Sequence, residues 1–305
     1  MSDPFQVLHQ VPVGGGTLHV AQSGPPPGEA EAVVLAVHGA TSSLMAFRRL
    51  ARELDAAVPG ICLLAPDLRG RGRSCSLPGP YGVPAHLADL LAVLDHTGAE
   101  RAVLTGHSMG AYIAARFAAE SPRRVSALVM IDGGLSIPVP PDQTAAEVLE
   151  QVLELSLARL RTTFSSVDEY VGLWREHPAL QGEWNEDIEA YCRYEVTGQP
   201  GQVNCIVSED AVVADCTDLV LDQTTAGAAE LVRAPMHLVR APRSLFDDED
   251  PLLPQELVDA FALRHPDLHV EDVPGVNHYT LLLGSTGPAR TARVIGEAVR
   301  QAVAA

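Results

Sequence analysis

Five short runs, apolar at nearly every position, constrain this chain most: AVVLAV at 32–37, ICLLA at 61–65, RAVLT at 101–105, VSALVMI at 125–131 and PMHLV at 235–239. A strand with one wet face alternates apolar and polar residues, whereas a strand covered on both faces need not. Helical patterns separate the runs: FRRLARELDAA (47–57), PAHLADLLAVLDHTG (84–98), 109–120 and LPQELVDAFALR (253–264), with DLHVEDV (267–273) as one more strand and a last helix after 286. Strands alternating with helices predict an α/β fold built on a mostly parallel, doubly wound sheet. FQVLHQV and TLHVAQ, split by Gly14, Gly15 and Gly16, predict an N-terminal hairpin.

The alternation stops between about 135 and 232. That stretch opens with Pro138, Pro140 and Pro141 and then turns helical, with TAAE (144–147) and SVDE (166–169) fitting the S/T-x-x-E capping box. The expected organisation is therefore a core of 1–134 and 233–305 carrying a helical cap, 135–232. The cap holds both tryptophans, Trp174 and Trp184, together with Phe164, Tyr170, Tyr191 and Tyr194. Most of these should pack the cap. Trp174 and Trp184 are the candidates for lining a pocket between cap and core, which would favour an apolar or aromatic substrate.

Charge narrows the partners. The net charge of -18 over 305 residues speaks against nucleic acid and against an anionic membrane surface. The first ten residues lack the basic and apolar regions of a signal peptide, and no apolar run approaches the ~20 residues of a membrane span. Five cysteines without a C-x-x-C pair read as reduced thiols, and the expected setting is cytoplasmic. No metal-ligand cluster and no dinucleotide loop appears, so no cofactor is expected.

The chemistry centres on LTGHSMGAYIAARFAAE, 104–120. Ligands bind beyond the carboxyl ends of parallel strands, and Ser108 stands just past such an end. Gly106 and Gly110 permit a sharp strand-to-helix turn that lifts the serine oxygen away from the backbone. The helix that follows aims its free N–H groups at the same place. A serine needs a general base, and His278 follows the last strand on a Gly-containing loop, GVNHYT. His107 is turned away by the elbow and receives no role.

With these motifs in hand, the chain resembles the α/β-hydrolase superfamily, in its lid-bearing branch. The resemblance rests on HGATSS (38–43), DLRGRGRS (67–74), GHSMG (106–110), the inserted cap and GVNHYT (275–280), in family order. It implies Ser108 as nucleophile, His278 as general base, and the backbone N–H groups of Ala40 and Met109 as oxyanion hole. It makes His38 and Asp67 structural, and Ser42 and Ser43 loop or helix-capping residues, with one of the two a candidate for lining the pocket. The acid that orients His278 has two candidate places. Asp250, in the loop after PMHLV and 28 residues before His278, has the more usual location. Asp132 stands at the tip of VSALVMI, as in a subset of the family that includes some dehalogenases, and is preferred here; Asp247 and Asp248 rank lower.

The implied activity is hydrolysis of a carboxylic ester, lactone or thioester. Epoxide and haloalkane chemistry is disfavoured, because those relatives carry a carboxylate where this chain has Ser108. Carbon–carbon bond hydrolysis, perhydrolysis and a non-catalytic receptor role are the alternatives. The sequence leaves the oligomeric state and natural substrate open.

Overall fold

The computed structural model describes residues 3–136 and 139–304, Leu155 by its backbone alone; Ile137 and Pro138 lie outside the described residues. Eight strands among them form one sheet: β1 (Val7–Val13), β2 (Gly16–Ser23), β3 (Ala32–Val37), β4 (Ile61–Pro66), β5 (Ala102–His107), β6 (Val125–Ile131) and, numbered after a hairpin described below, β9 (Met236–Arg240) and β10 (His269–Asp272). Their order is β1-β2-β4-β3-β5-β6-β9-β10. The hairpin β1–β2 closes through Gly14 and Gly15, with Val13 opposite Gly16, and β2 pairs antiparallel to β4. All other neighbours run parallel.

Burial on both faces follows from the strand pattern. Along β3, Leu35 and Val37 pack into one apolar layer with α2 (Val83–Thr97) and α3 (Met109–Glu120), while Val34 and Ala36 pack into the other with α1 (Arg48–Ala57) and α11 (Gly287–Ala304). The helix α9 (Gln255–Arg264) adds Val258 and Phe261 to the first layer. Sequence-based boundaries hold to within a few residues because each helix stops at a recognisable break. α2, for instance, ends on Gly98 in the left-handed conformation.

Between β6 and β9 the chain forms α4 (Ala145–Leu157), α5 (Val167–Arg175), α6 (Glu186–Tyr194), α7 (Glu209–Leu221) and the short α8 (Gln223–Ala226). Thr144 and Glu147 make the reciprocal bonds of a full capping box on α4. The second expected box is only half made. Ser166 accepts from the Glu169 amide, but the Glu169 carboxylate turns back to the amide and hydroxyl of Ser165. The segment is also not purely helical: β7 (Val196–Gln199) and β8 (Gln202–Cys205) form a small antiparallel hairpin. The Pro200–Gly201 dipeptide between them is the turn signal that marks it. After β10 a single turn, α10 (Thr280–Leu283), leads into α11.

Candidate active site

Ser108 sits between β5 and α3 with φ 56 and ψ -125, a strained setting for a residue with a Cβ. Both flanking glycines are required by close backbone approach. A Cβ at Gly106 would overlap the Gly110 carbonyl, and one at Gly110 would overlap the Val37 carbonyl of β3. The elbow is thus wedged against the neighbouring strand. Its backbone is pinned there by the Ser108 N–H donating to Ile131 O at the end of β6 (3.0 Å). Ser108 remains half-buried, and its hydroxyl has no hydrogen-bond partner among the described residues.

One strand over, Asp132 follows β6 with φ 46 and is fully buried. Its N–H donates to Val239 O (2.8 Å), and its Oδ1 accepts from the Ala241 N–H (3.2 Å). Its Oδ2 lies 2.7 Å from His278 Nδ1. With Nδ1–H donating to this carboxylate, His278 Nε2 is left as an acceptor, the tautomer a general base needs. Asp250 is exposed, and its amide donates to Asp248 Oδ1. The structure therefore brings Asp132, not Asp250, against His278. The loop after β9 serves the site differently. Asp247, at φ 64, accepts from Asn277 Nδ2 (3.0 Å) and from Arg243 Nε (2.8 Å).

The loop carrying His278 is fixed from several sides. Asn277 Oδ1 accepts from the Tyr279 and Thr280 amides, and its Nδ2 also donates to Ala179 O in the inserted segment (2.9 Å). His107, given no role from sequence, reaches the carbonyl oxygen of His278 through Nε2 (2.9 Å), its ring 4.4 Å from the His278 ring. Only the Nε2–H tautomer can make that bond. Burial, aided by neighbouring His278, holds the His107 pKa well below the usual imidazole range, which keeps the ring neutral. His107 therefore packs against His278 and borders the same cavity as Ser108.

On the other side of Ser108, His38 is buried in the loop after β3. Its Nδ1–H donates to Gly39 O (2.8 Å), and its Nε2 accepts from the Leu68 N–H (3.0 Å). Burial pushes its pKa down to about 3. The next residue, Gly39, runs so close to Ser108 that an added Cβ would stand 3.3 Å from the serine Cβ. The amide N–H groups of Ala40 and Met109 have no acceptor among the described residues. Two unengaged amides flanking a nucleophile are what an oxyanion hole requires.

The Ala40 peptide is itself anchored. Its carbonyl accepts from Arg71 Nε (2.9 Å), and Arg71 Nη1 pairs with Asp215 of α7 (2.6 Å), both side chains fully buried. Burial pushes the Asp215 carboxyl up, but His86 and Arg71 outweigh it and hold it below the usual range. Breaking a buried pair of this kind costs about 3–5 kcal/mol. The DLRGRGRS loop thus ties the inserted segment to the loop that carries Ala40. Asp67 of the same loop accepts from the Leu44 and Arg73 amides and from Tyr194 OH, and burial raises its pKa to about 6.

Two cavities meet at Ser108, sharing Ala40, Ser108, Ser156, Leu245 and His278 as walls. The smaller, about 110 Å³, is bounded by Thr41, Ser42, Trp174, Tyr191 and Tyr279. The larger, about 230 Å³, is bounded by Met109, Leu135, Val152, Leu219, Leu253 and Leu257. Trp174 lines the smaller one, with Arg159 stacked 4.9 Å from the ring centre. Trp184 lines neither. It is half-buried with Arg175 over its ring at 4.9 Å. Ser42 faces the smaller cavity, 3.3 Å from Tyr191 OH, while Ser43 is buried. No group of three or more His, Cys, Asp or Glu among the described residues could hold a metal ion. Likewise, no helix among them is long and apolar enough to cross a membrane.

Comparison with known proteins agrees with this architecture. Residues 32–173 match the family model for the alpha/beta hydrolase fold. The chain is 33% identical over 175 residues to Lipase LipV of Mycobacterium tuberculosis, covering 57% of this chain and 62% of the relative. It is 35% identical over 121 residues to Epoxide hydrolase 2 of Siraitia grosvenorii, covering 39% and 36%. These matches thus span less than two thirds of either relative's length. In fold the likeness runs the whole chain. E-2-(acetamidomethylene)succinate hydrolase superposes with a TM-score of 0.77 at 22% identity, over 96% of this chain and 99% of that one. The thioesterase domain from the curacin biosynthetic pathway gives 0.72 at 20%, over 96% and 99%. With the family model matched across β3 to α5 and the fold shared from end to end, this chain has the α/β-hydrolase fold.

Proposed function

We propose that this hydrolase-fold protein is a serine hydrolase that cleaves a carboxylic ester, lactone or thioester through an acyl-enzyme on Ser108. The observation that carries the reading is the buried Asp132–His278 pair at 2.7 Å, whose histidine lines the same two cavities as the half-buried Ser108. Ser108 Oγ attacks the carbonyl carbon while His278 Nε2 takes its proton. The resulting oxyanion lies at the Ala40 and Met109 amides. Collapse breaks the bond to the leaving oxygen or sulfur, which takes the proton from His278. Water, deprotonated by the same nitrogen, then attacks the acyl carbon and frees Ser108.

Several features support this over other chemistry of the fold. A serine attacking an epoxide carbon would form an ether, which water does not cleave, so the likeness to an epoxide hydrolase does not carry over to the reaction. A net charge of -18 favours a neutral, apolar or aromatic small substrate over a polyanion. All five cysteines are free thiols, which fits a reducing, cytoplasmic setting. The test is labelling by a fluorophosphonate read by intact mass. One adduct is expected, mapped to the peptide of Ser108 and absent from Ser108→Ala; no adduct, or one that survives the substitution, refutes the reading.

A further inference from the structure

Resting on that reading of Ser108, we infer that the larger cavity is the acyl chamber and that the substrate is an ester or thioester of a medium-chain acyl group, its leaving group seated in the smaller cavity. Once Ser108 has bonded to the carbonyl carbon and the oxygen points at Ala40 and Met109, two substituents remain, the acyl carbon and the leaving atom. Two cavities diverge from this point, and their chemistry differs.

The larger is walled by Met109, Leu135, Val152, Leu219, Leu253 and Leu257, and its few polar side chains include Ser156 and the buried Cys216. The Cys216 thiol is pushed up to about 11 by burial, so it stays protonated and behaves as an apolar wall. The smaller carries the hydroxyls of Thr41, Ser42, Tyr191 and Tyr279. A leaving alcohol or thiol that must accept a proton, depart and be replaced by water suits the hydroxyl-rich side. An alkyl tail that must stay while the acyl-enzyme waits suits the leucine side. Size sets the length. An apolar cavity of about 150 Å³ holds benzene. On that scale the observed volume of about 230 Å³ takes roughly six to nine carbons.

The two assignments can be separated with isomers. Ethyl octanoate and octyl acetate have the same formula and differ only in which side of the carbonyl carries the tail. The inference expects ethyl octanoate to be cleaved with a kcat/KM at least roughly tenfold higher. Along p-nitrophenyl esters from acetate to tetradecanoate, kcat/KM should climb by up to about fourfold per methylene, peak near octanoate and fall beyond it. Val152→Phe, on the half-buried wall from α4, should move that peak to shorter chains. A preference for octyl acetate, or a profile that falls from acetate onward, overturns the inference while fluorophosphonate labelling of Ser108 keeps the hydrolase reading intact. If Ser108 takes no label and no ester is cleaved, both fall together.

Discussion

The strand tips and the inserted segment build the same site by different means. At the tips of β5 and β6, backbone does the positioning. Ser108 and Asp132 both hold positive φ, each is tied by its N–H to the neighbouring strand, and Gly106 and Gly110 leave no room for a Cβ. Across the cavities, α4 to α7 contribute walls: Val152, Ser156, Trp174, Tyr191 and Leu219. A backbone-built site admits few sequences and a side-chain wall admits many. Changes at the tips should therefore abolish turnover, and changes in the wall should re-rank substrates.

The largest effect expected on this contrast is at the acid. Asp132→Asn removes the carboxylate that fixes the His278 tautomer, and turnover should drop by about 10⁴, the loss a Ser-His-Asp triad suffers from this change. Asp250→Asn, on an exposed loop, should change it less than about tenfold. Steady-state ester kinetics on variants shown to melt like the parent check both. The reverse ranking would move the orienting role to the loop after β9.

A smaller effect, on stability, concerns His38. Its folded-state pKa of about 3 lies below the unfolded value near 6.5. The folded protein therefore binds fewer protons between those limits. The stabilisation is complete above pH 6.5 and is lost as pH falls towards 3, by up to about 1.4 kcal/mol per unit. Buried His107, shifted the same way, adds to the slope. Thermal melts from pH 7 to 4 should show Tm falling with acid, less steeply in His38→Gln. Asp67, raised by burial to about 6, acts in the opposite sense, so the difference between parent and variant is the readout: an equal acid slope in the two would mean that His38 is not held neutral in the fold.

The smallest effects belong to the wall. Trp174→Phe should change the ranking of substrates several-fold while fluorophosphonate labelling of Ser108 persists, and Trp184→Ala should leave the ranking unchanged, since Trp174 borders one of the two cavities at Ser108 and Trp184 borders neither. Equal changes from the two would erase the distinction between a lining and a packing tryptophan.

The same contrast explains what was legible in the sequence. The sheet, the elbow and His278 could be read because apolar runs, obligatory glycines and chain order leave little choice. The acid was ambiguous because the tip of β6 and the long loop after β9 each offer an aspartate, and only the register of β6 beside β9 puts the Asp132 carboxylate under His278. The grip of His107 on the His278 carbonyl was invisible, since it joins positions 171 residues apart. Asn277 was hidden for the same reason, acting through Ala179 and Asp247 on other elements. Trp174 and Trp184, both in the expected cap, could not be told apart without knowing which helix face meets the cavity. The hairpin β7–β8 carried a signal, Pro200–Gly201, that the surrounding helical pattern outweighed.

The central claim is that Ser108, His278 and Asp132 act as one unit, and non-additivity tests it most directly. Residues of such a unit lose about as much singly as together, because once the nucleophile is gone its base and acid have nothing to activate. Ester turnover should be measured for Ser108→Ala, Asp132→Asn and the double variant, each confirmed folded. The account expects the double variant to retain the same residual rate as Ser108→Ala alone. A further loss in the double variant, equal to the factor lost by Asp132→Asn in the parent, would show that the two act independently and would contradict it.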